Sequence, residues 1–182
     1  LWFTPWLPFL FLVNCIALGY AIVVLEAVFS ARAFKLQHDH GMIASLGQVV
    51  MGVSLFWVLF RLAEVALAGE LALVTSGKGL LFLVEMLLTL AGAVVLMSPA
   101  RRSDPAWQVR AAILLVLGGA LFRIDTYLVA FNPGAQWSYF PAIPELLITF
   151  GIIALEVVLY IAAVRRFPIL SGAPAAPARS HS

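Results

Sequence analysis

Apolar positions run almost unbroken through five stretches, roughly 7–31, 44–68, 79–98, 109–130 and 144–165. Polar residues and helix breakers gather in the short segments between them, "QHDHG", "TSGKG", "SPARRSDP" and "FNPGAQWSYFPAIP". A hydrocarbon core about 30 Å thick is crossed by about 20 apolar residues in a helix. Membrane strands would show short alternating segments instead, so helices are the spanning form here. The pattern predicts an all-α integral membrane protein, a bundle of five transmembrane helices over 1–168. The Ala/Pro/Ser-rich end, 169–182, is expected to be a disordered tail on the cytoplasmic side. No internal repeat is visible.

Composition supports a lipid solvent. The chain is 63% hydrophobic and 11% charged, where a soluble domain carries about 25% charge. The net charge of +2 matters less than where the charges fall. Five spans put the termini on opposite sides. Arg32, Lys35, Arg101, Arg102, Arg110, Arg165, Arg166 and Arg179 then share one side, and the other loops hold only Lys78. The arginine-rich side is assigned to the cytoplasm, which makes this a multi-pass membrane protein with its C-terminus inside. The chain opens at Leu1 with no basic leader and no small-residue cleavage site, so no signal peptide is read and a missing N-terminal part is expected. Cys15 lies in an apolar stretch and reads as a small apolar residue.

Ionisable residues inside the spans are the candidate chemistry, because charge in hydrocarbon is costly. Arg61 and Glu64 are three apart and share a helix face. Arg123 and Asp125 are two apart and face different ways, so each needs a partner on another helix, with Glu64 and Glu85 at matching depth. Glu145 follows Pro144 and is explained as a helix cap. Glu156 lies near mid-depth and Glu26 towards the cytoplasmic end. Glu26, Glu64, Glu85, Asp125 and Glu156 are therefore proton-transfer candidates, with Arg61 and Arg123 as their ion-pair partners. The bland alternative, a set of interhelical hydrogen bonds, stays open. Trp137, Tyr139 and Phe140 form either an aromatic belt at headgroup depth or a partner-docking loop.

Absences guide the rest. His38, His40 and His181 lie outside the spans, which leads to the expectation of no haem. No Cys cluster, dinucleotide fingerprint or phosphate-binding loop is present. No catalytic group, metal site, iron–sulfur cluster or nucleic-acid partner is expected in this chain.

"LWFTPWLPFLFLVNCIALGYAIVVLEA" and "YFPAIPELLITFGIIALEVVLYIAAVRRFPIL" resemble the NrfD/polysulfide-reductase membrane-subunit family. Within it the chain is similar to the HybB-type subunits of quinone-linked nickel–iron hydrogenases, with "FNPGAQWSYFPAIPE" the most specific piece. The resemblance covers the C-terminal half of a subunit of eight to ten helices. It implies a haem-free subunit that passes electrons between an outer-face iron–sulfur subunit, with its hydrogenase or reductase catalytic partner, and membrane quinone (menaquinone or ubiquinone), with proton movement in some members. Two alternatives stand beside it. One is the membrane subunit of a polysulfide, nitrite or similar reductase. The other is a proton-coupled secondary transporter, although prolines here cluster at span ends and not at the midplane.

Overall fold

The computed structural model describes residues 1–2, 4–34, 40–130, 134 and 142–167. Its elements are α1 (Leu7–Phe34), α2 (His40–Leu67), α3 (Leu71–Val74), α4 (Gly79–Met97), α5 (Pro99–Ser103), α6 (Pro105–Ile124) and α7 (Ile143–Arg166), with a π-helical turn, Asp125–Val129, continuing α6. No strand occurs among the described residues. Five helices, over Leu7–Ala33, Gly41–Leu67, Gly79–Met97, Pro105–Val129 and Ile143–Arg166, are long and apolar enough to cross a membrane. These are the five expected spans, with ends moved by a few residues.

One such shift is at α6, which starts at Pro105 and not near 109. The cause is local. Asp104 Oδ1 accepts from Ala106 N at 2.8 Å, and Pro105 fills the first helical position, where no amide donor is needed. Asp104→Ala is expected to destabilise the full chain by about 1 kcal/mol, read as a lower unfolding midpoint in detergent. Glu145 caps α7 in the same spirit, its Oε2 accepting from Ala142 N at 3.1 Å. At the other end of α2, Gly69 adopts φ 72°, a left-handed conformation that stops the helix before α3.

α6 packs against α4 and α1, and α2 closes the group against α4 and α1. In lipid no hydrophobic force drives helices together, so close backbone approach and interhelical hydrogen bonds do the work. The half of the bundle that holds the start of α1 and the end of α6 is filled by aromatic rings. Trp57 meets Phe122 edge-on at 5.1 Å, and Phe11 lies 4.9 Å from the same ring. The other half is filled by smaller residues, among them Ala21, Val24, Ala111 and Ala112. α7 buries none of its residues. Its tie to α1 runs through the Tyr160 hydroxyl, 3.2 Å from Ser30 Oγ and in hydrogen-bonding contact with Glu26.

A carboxyl-rich cluster at one end of the bundle

The start of α1, the end of α2, the start of α4 and the end of α6 meet at one end, and there the bundle interior turns polar. Arg61 is fully buried. Its Nη1 lies 2.6 Å from Glu64 Oε2, its Nη2 donates to the Leu1 carbonyl at 2.8 Å, and its guanidinium sits 5.3 Å from the centre of the Phe82 ring. The expected i, i+3 pair therefore forms, and it forms inside the protein. Thr4 Oγ1 donates to the other Glu64 oxygen.

Glu85 is six residues into α4, about 9 Å along its axis. It is fully buried, and Trp2 Nε1 donates to its Oε2 at 3.1 Å. Arg61 and Asp125 both lie close enough to act on it electrostatically. Asp125 is buried at the first position of the π-helical turn. Such turns insert an extra residue into a helix and re-aim the side chains around it. Glu85 Oε1 and Asp125 Oδ2 are buried without a hydrogen-bond partner, as is Arg61 Nε. Buried polar atoms are nearly always satisfied, so three orphans in one cluster single it out as the candidate site. An open cleft of about 480 Å³, lined by Thr4, Trp6, Phe60 and Glu64 among others, reaches the cluster from the side of Glu64.

The other sequence candidates lie elsewhere. Arg123 faces away from Asp125, as their spacing requires, and its Nη2 contacts Cys15 Sγ at 3.0 Å. Among the described residues it has no carboxylate within ion-pair distance, so the expected ion pair is replaced by a thiol contact on α1. Glu26 is exposed on α1 beside Tyr160, and Glu156 is exposed on α7 one turn before Tyr160. Glu26 belongs to the α1–α7 contact, and neither acid joins the Glu85 cluster. Trp137, Tyr139 and Phe140 lie outside the described residues.

Sequence reasoning missed Trp2 and Phe82, whose aromatic character in an apolar run carries no mark of a polar role. It also missed Asn14, Ser54, Tyr20 and Gln108, which are buried with an unpartnered oxygen each. Uncharged polar residues at core positions of membrane helices were the available signal.

Fold and site together define an all-helical, multi-pass membrane protein with an ionisable cluster buried among four of its helices. The chain is 30% identical over 168 residues to the "Probable Ni/Fe-hydrogenase 2 b-type cytochrome subunit" of Escherichia coli K12, covering 90% of this chain and 43% of that protein. It is 26% identical over 181 residues to a protein of Nitratidesulfovibrio vulgaris Hildenborough, covering 93% of this chain and 46% of that one. The chain is thus a distant homologue of a hydrogenase-associated membrane subunit, and it spans less than half the length of these relatives. No protein-family model and no solved structure matches the chain.

The name of the Escherichia coli relative corrects one expectation. A b-type cytochrome subunit points to haem, so the reading of a haem-free subunit does not stand. The described residues of this chain do not themselves fit the group. Haem iron takes His, Met, Cys or Tyr as axial ligands. The histidine among the described residues, His40, is the first residue of α2. Met86 and Tyr20 are buried in separate packed clusters, and Cys15 is exposed. Tyr20 and Met86, in different clusters, supply no axial pair.

Proposed function

We propose that this chain is part of the membrane electron-transfer subunit of a hydrogenase-type oxidoreductase complex, of the NrfD-like kind. In this reading an iron–sulfur subunit docks at the carboxyl-rich end, outside the inner membrane, and electrons pass between it and a membrane quinone. The arginine-rich end and the C-terminus face the cytoplasm. The observation that carries the reading is the Glu85–Asp125 pair, two buried carboxyl groups on facing helices, each with an unpartnered oxygen.

Quinone reduction consumes protons as well as electrons, and quinol oxidation releases them. A redox subunit in lipid therefore needs groups that pass protons to one side. Glu85 and Asp125 are assigned that exchange. Arg61 holds the local negative charge and fixes Glu64 at the cleft, where water reaches it. Trp2 orients the Glu85 carboxyl. The similarity to a hydrogenase subunit supports the reading of a redox partner, and the buried carboxyl pair supports the proton role.

The test is hydrogen-driven quinone reduction by the whole complex in sealed vesicles, with a pH dye inside. Glu85→Gln keeps the shape and can still accept from Trp2, but cannot carry a proton. Glu85→Gln and Asp125→Asn are each expected to slow turnover about a hundredfold, the lower end of what a positioned acid–base group contributes. Unchanged turnover and unchanged proton stoichiometry in both variants would sink the assignment.

A further inference from the structure

We propose that Arg101, Trp107 and Arg110, at the arginine-rich end, form a binding site for the phosphate headgroup of an anionic membrane lipid. Trp107 is half-buried in the first turn of α6, at the depth where indole rings settle in a membrane interface. Arg110 follows it one turn later on the same face. Its guanidinium lies 4.4 Å from the centre of the indole ring, and that of Arg101, arriving from α5, lies 4.9 Å from it. Both are within cation–π range, so two positive charges share one ring.

Like charges held this close repel, and nothing described offsets them. Among the described residues no carboxylate lies within ion-pair distance of either arginine. Asp104, the nearest acid in sequence, is committed to capping α6. The arrangement is also held in place without a ligand. Buried Gln108 donates through Nε2 to the Arg102 carbonyl at 2.5 Å, pinning α5 to α6. The fork of a guanidinium matches phosphate oxygens in a bidentate way, and two forks on one ring can take opposite edges of one phosphodiester.

The surface that continues from the arginines selects a lipid over a free phosphate. Ile113 and Leu117 follow Arg110 along the same face of α6, and both are exposed, at 46% and 49%. An acyl chain below the headgroup would lie on them. Basic groups at a helix end on the cytoplasmic side are where anionic lipids gather.

The experiment titrates the full chain, purified in detergent, with phosphatidylglycerol, phosphatidylcholine or inorganic phosphate, and reads retained lipid by native mass spectrometry together with the unfolding midpoint. Phosphatidylglycerol should bind and stabilise, and phosphatidylcholine should not. Its affinity should fall roughly fivefold in Arg110→Gln and about 25-fold in the Arg101→Gln/Arg110→Gln double variant. Trp107→Leu, which keeps both arginines but frees them, should fall between wild type and the double variant. The single variant reads out the site if the double variant fails to fold. Equal binding of phosphatidylcholine, unchanged retention in Arg110→Gln, or full displacement by equimolar inorganic phosphate would each overturn the proposal.

Discussion

Arg61→Leu is expected to destabilise the folded chain by about 3 kcal/mol, enough to lower the ratio of folded to unfolded protein more than a hundredfold. Interhelical hydrogen bonds in a membrane average only about 0.6 kcal/mol, because the separated helices find other partners in lipid. The two bonds Arg61 makes to Glu64 and Leu1 therefore do not account for the effect. The larger part is the charge left behind. Removing one member of a buried pair costs about 3–5 kcal/mol, and the Glu64 side chain, 16% exposed, places this case at the lower end. Glu85 loses its nearest cation in the same step.

Two further variants separate charge from contact. Arg61→Lys keeps the positive charge but lacks the fork that reaches Glu64 and the Leu1 carbonyl together, so it should recover about half of the loss. Arg61→Leu/Glu64→Leu removes both charges at once and should be more stable than Arg61→Leu alone. Unfolding midpoints of the full chain in detergent decide the matter. An Arg61→Leu variant that melts with wild type would show that the guanidinium is not holding the cluster together.

The five spans were legible because length and apolar content are one-dimensional properties, and a bilayer demands both. The Arg61–Glu64 pair and the divergence of Arg123 from Asp125 were legible for a similar reason. Helical spacing fixes the angle between residues of one helix whatever the helix packs against. The Glu145 cap followed from Pro144 and its neighbours in the same local way.

Relations between helices were not legible. Glu26, Glu85 and Glu156 look alike in sequence, each a lone acid in an apolar run, yet Glu85 is fully buried and the other two are exposed. Helices that are apolar all round carry no polar stripe to tell the inward face from the lipid face. Depth could be counted from the span ends, but direction around the axis could not. Trp2 shows the same limit. A tryptophan at a span end reads as an interface anchor, and only the placement of the segment before α1 beside α4 turns it into a hydrogen-bond donor to Glu85.

At Gly118 the direction around the axis is set by a close approach of α6 to α4, and its substitution gives the second large effect. A Cβ there would lie 2.5 Å from Thr89 Oγ1, 3.1 Å from Thr89 N and 3.4 Å from the Glu85 carbonyl oxygen. The hydroxyl cannot simply turn aside, because it donates to that Glu85 carbonyl at 3.1 Å, and the amide nitrogen is helix backbone. Even one added methyl must therefore push α6 away from α4. Gly118→Ala is expected to cost about 1–3 kcal/mol, and Gly118→Leu about 3 kcal/mol or more. The displacement would also widen the gap between Glu85, on α4, and Asp125, two turns beyond Gly118 on the same helix as the glycine. Gly151, on α7, supplies the control, since a Cβ there meets nothing within 4 Å. Gly151→Ala should be neutral or stabilise by about 0.5–1 kcal/mol through helix propensity alone. Unfolding midpoints that move together in Gly118→Ala and Gly151→Ala would mean that α4 and α6 do not meet at Gly118, and the carboxyl pair above it would lose its support.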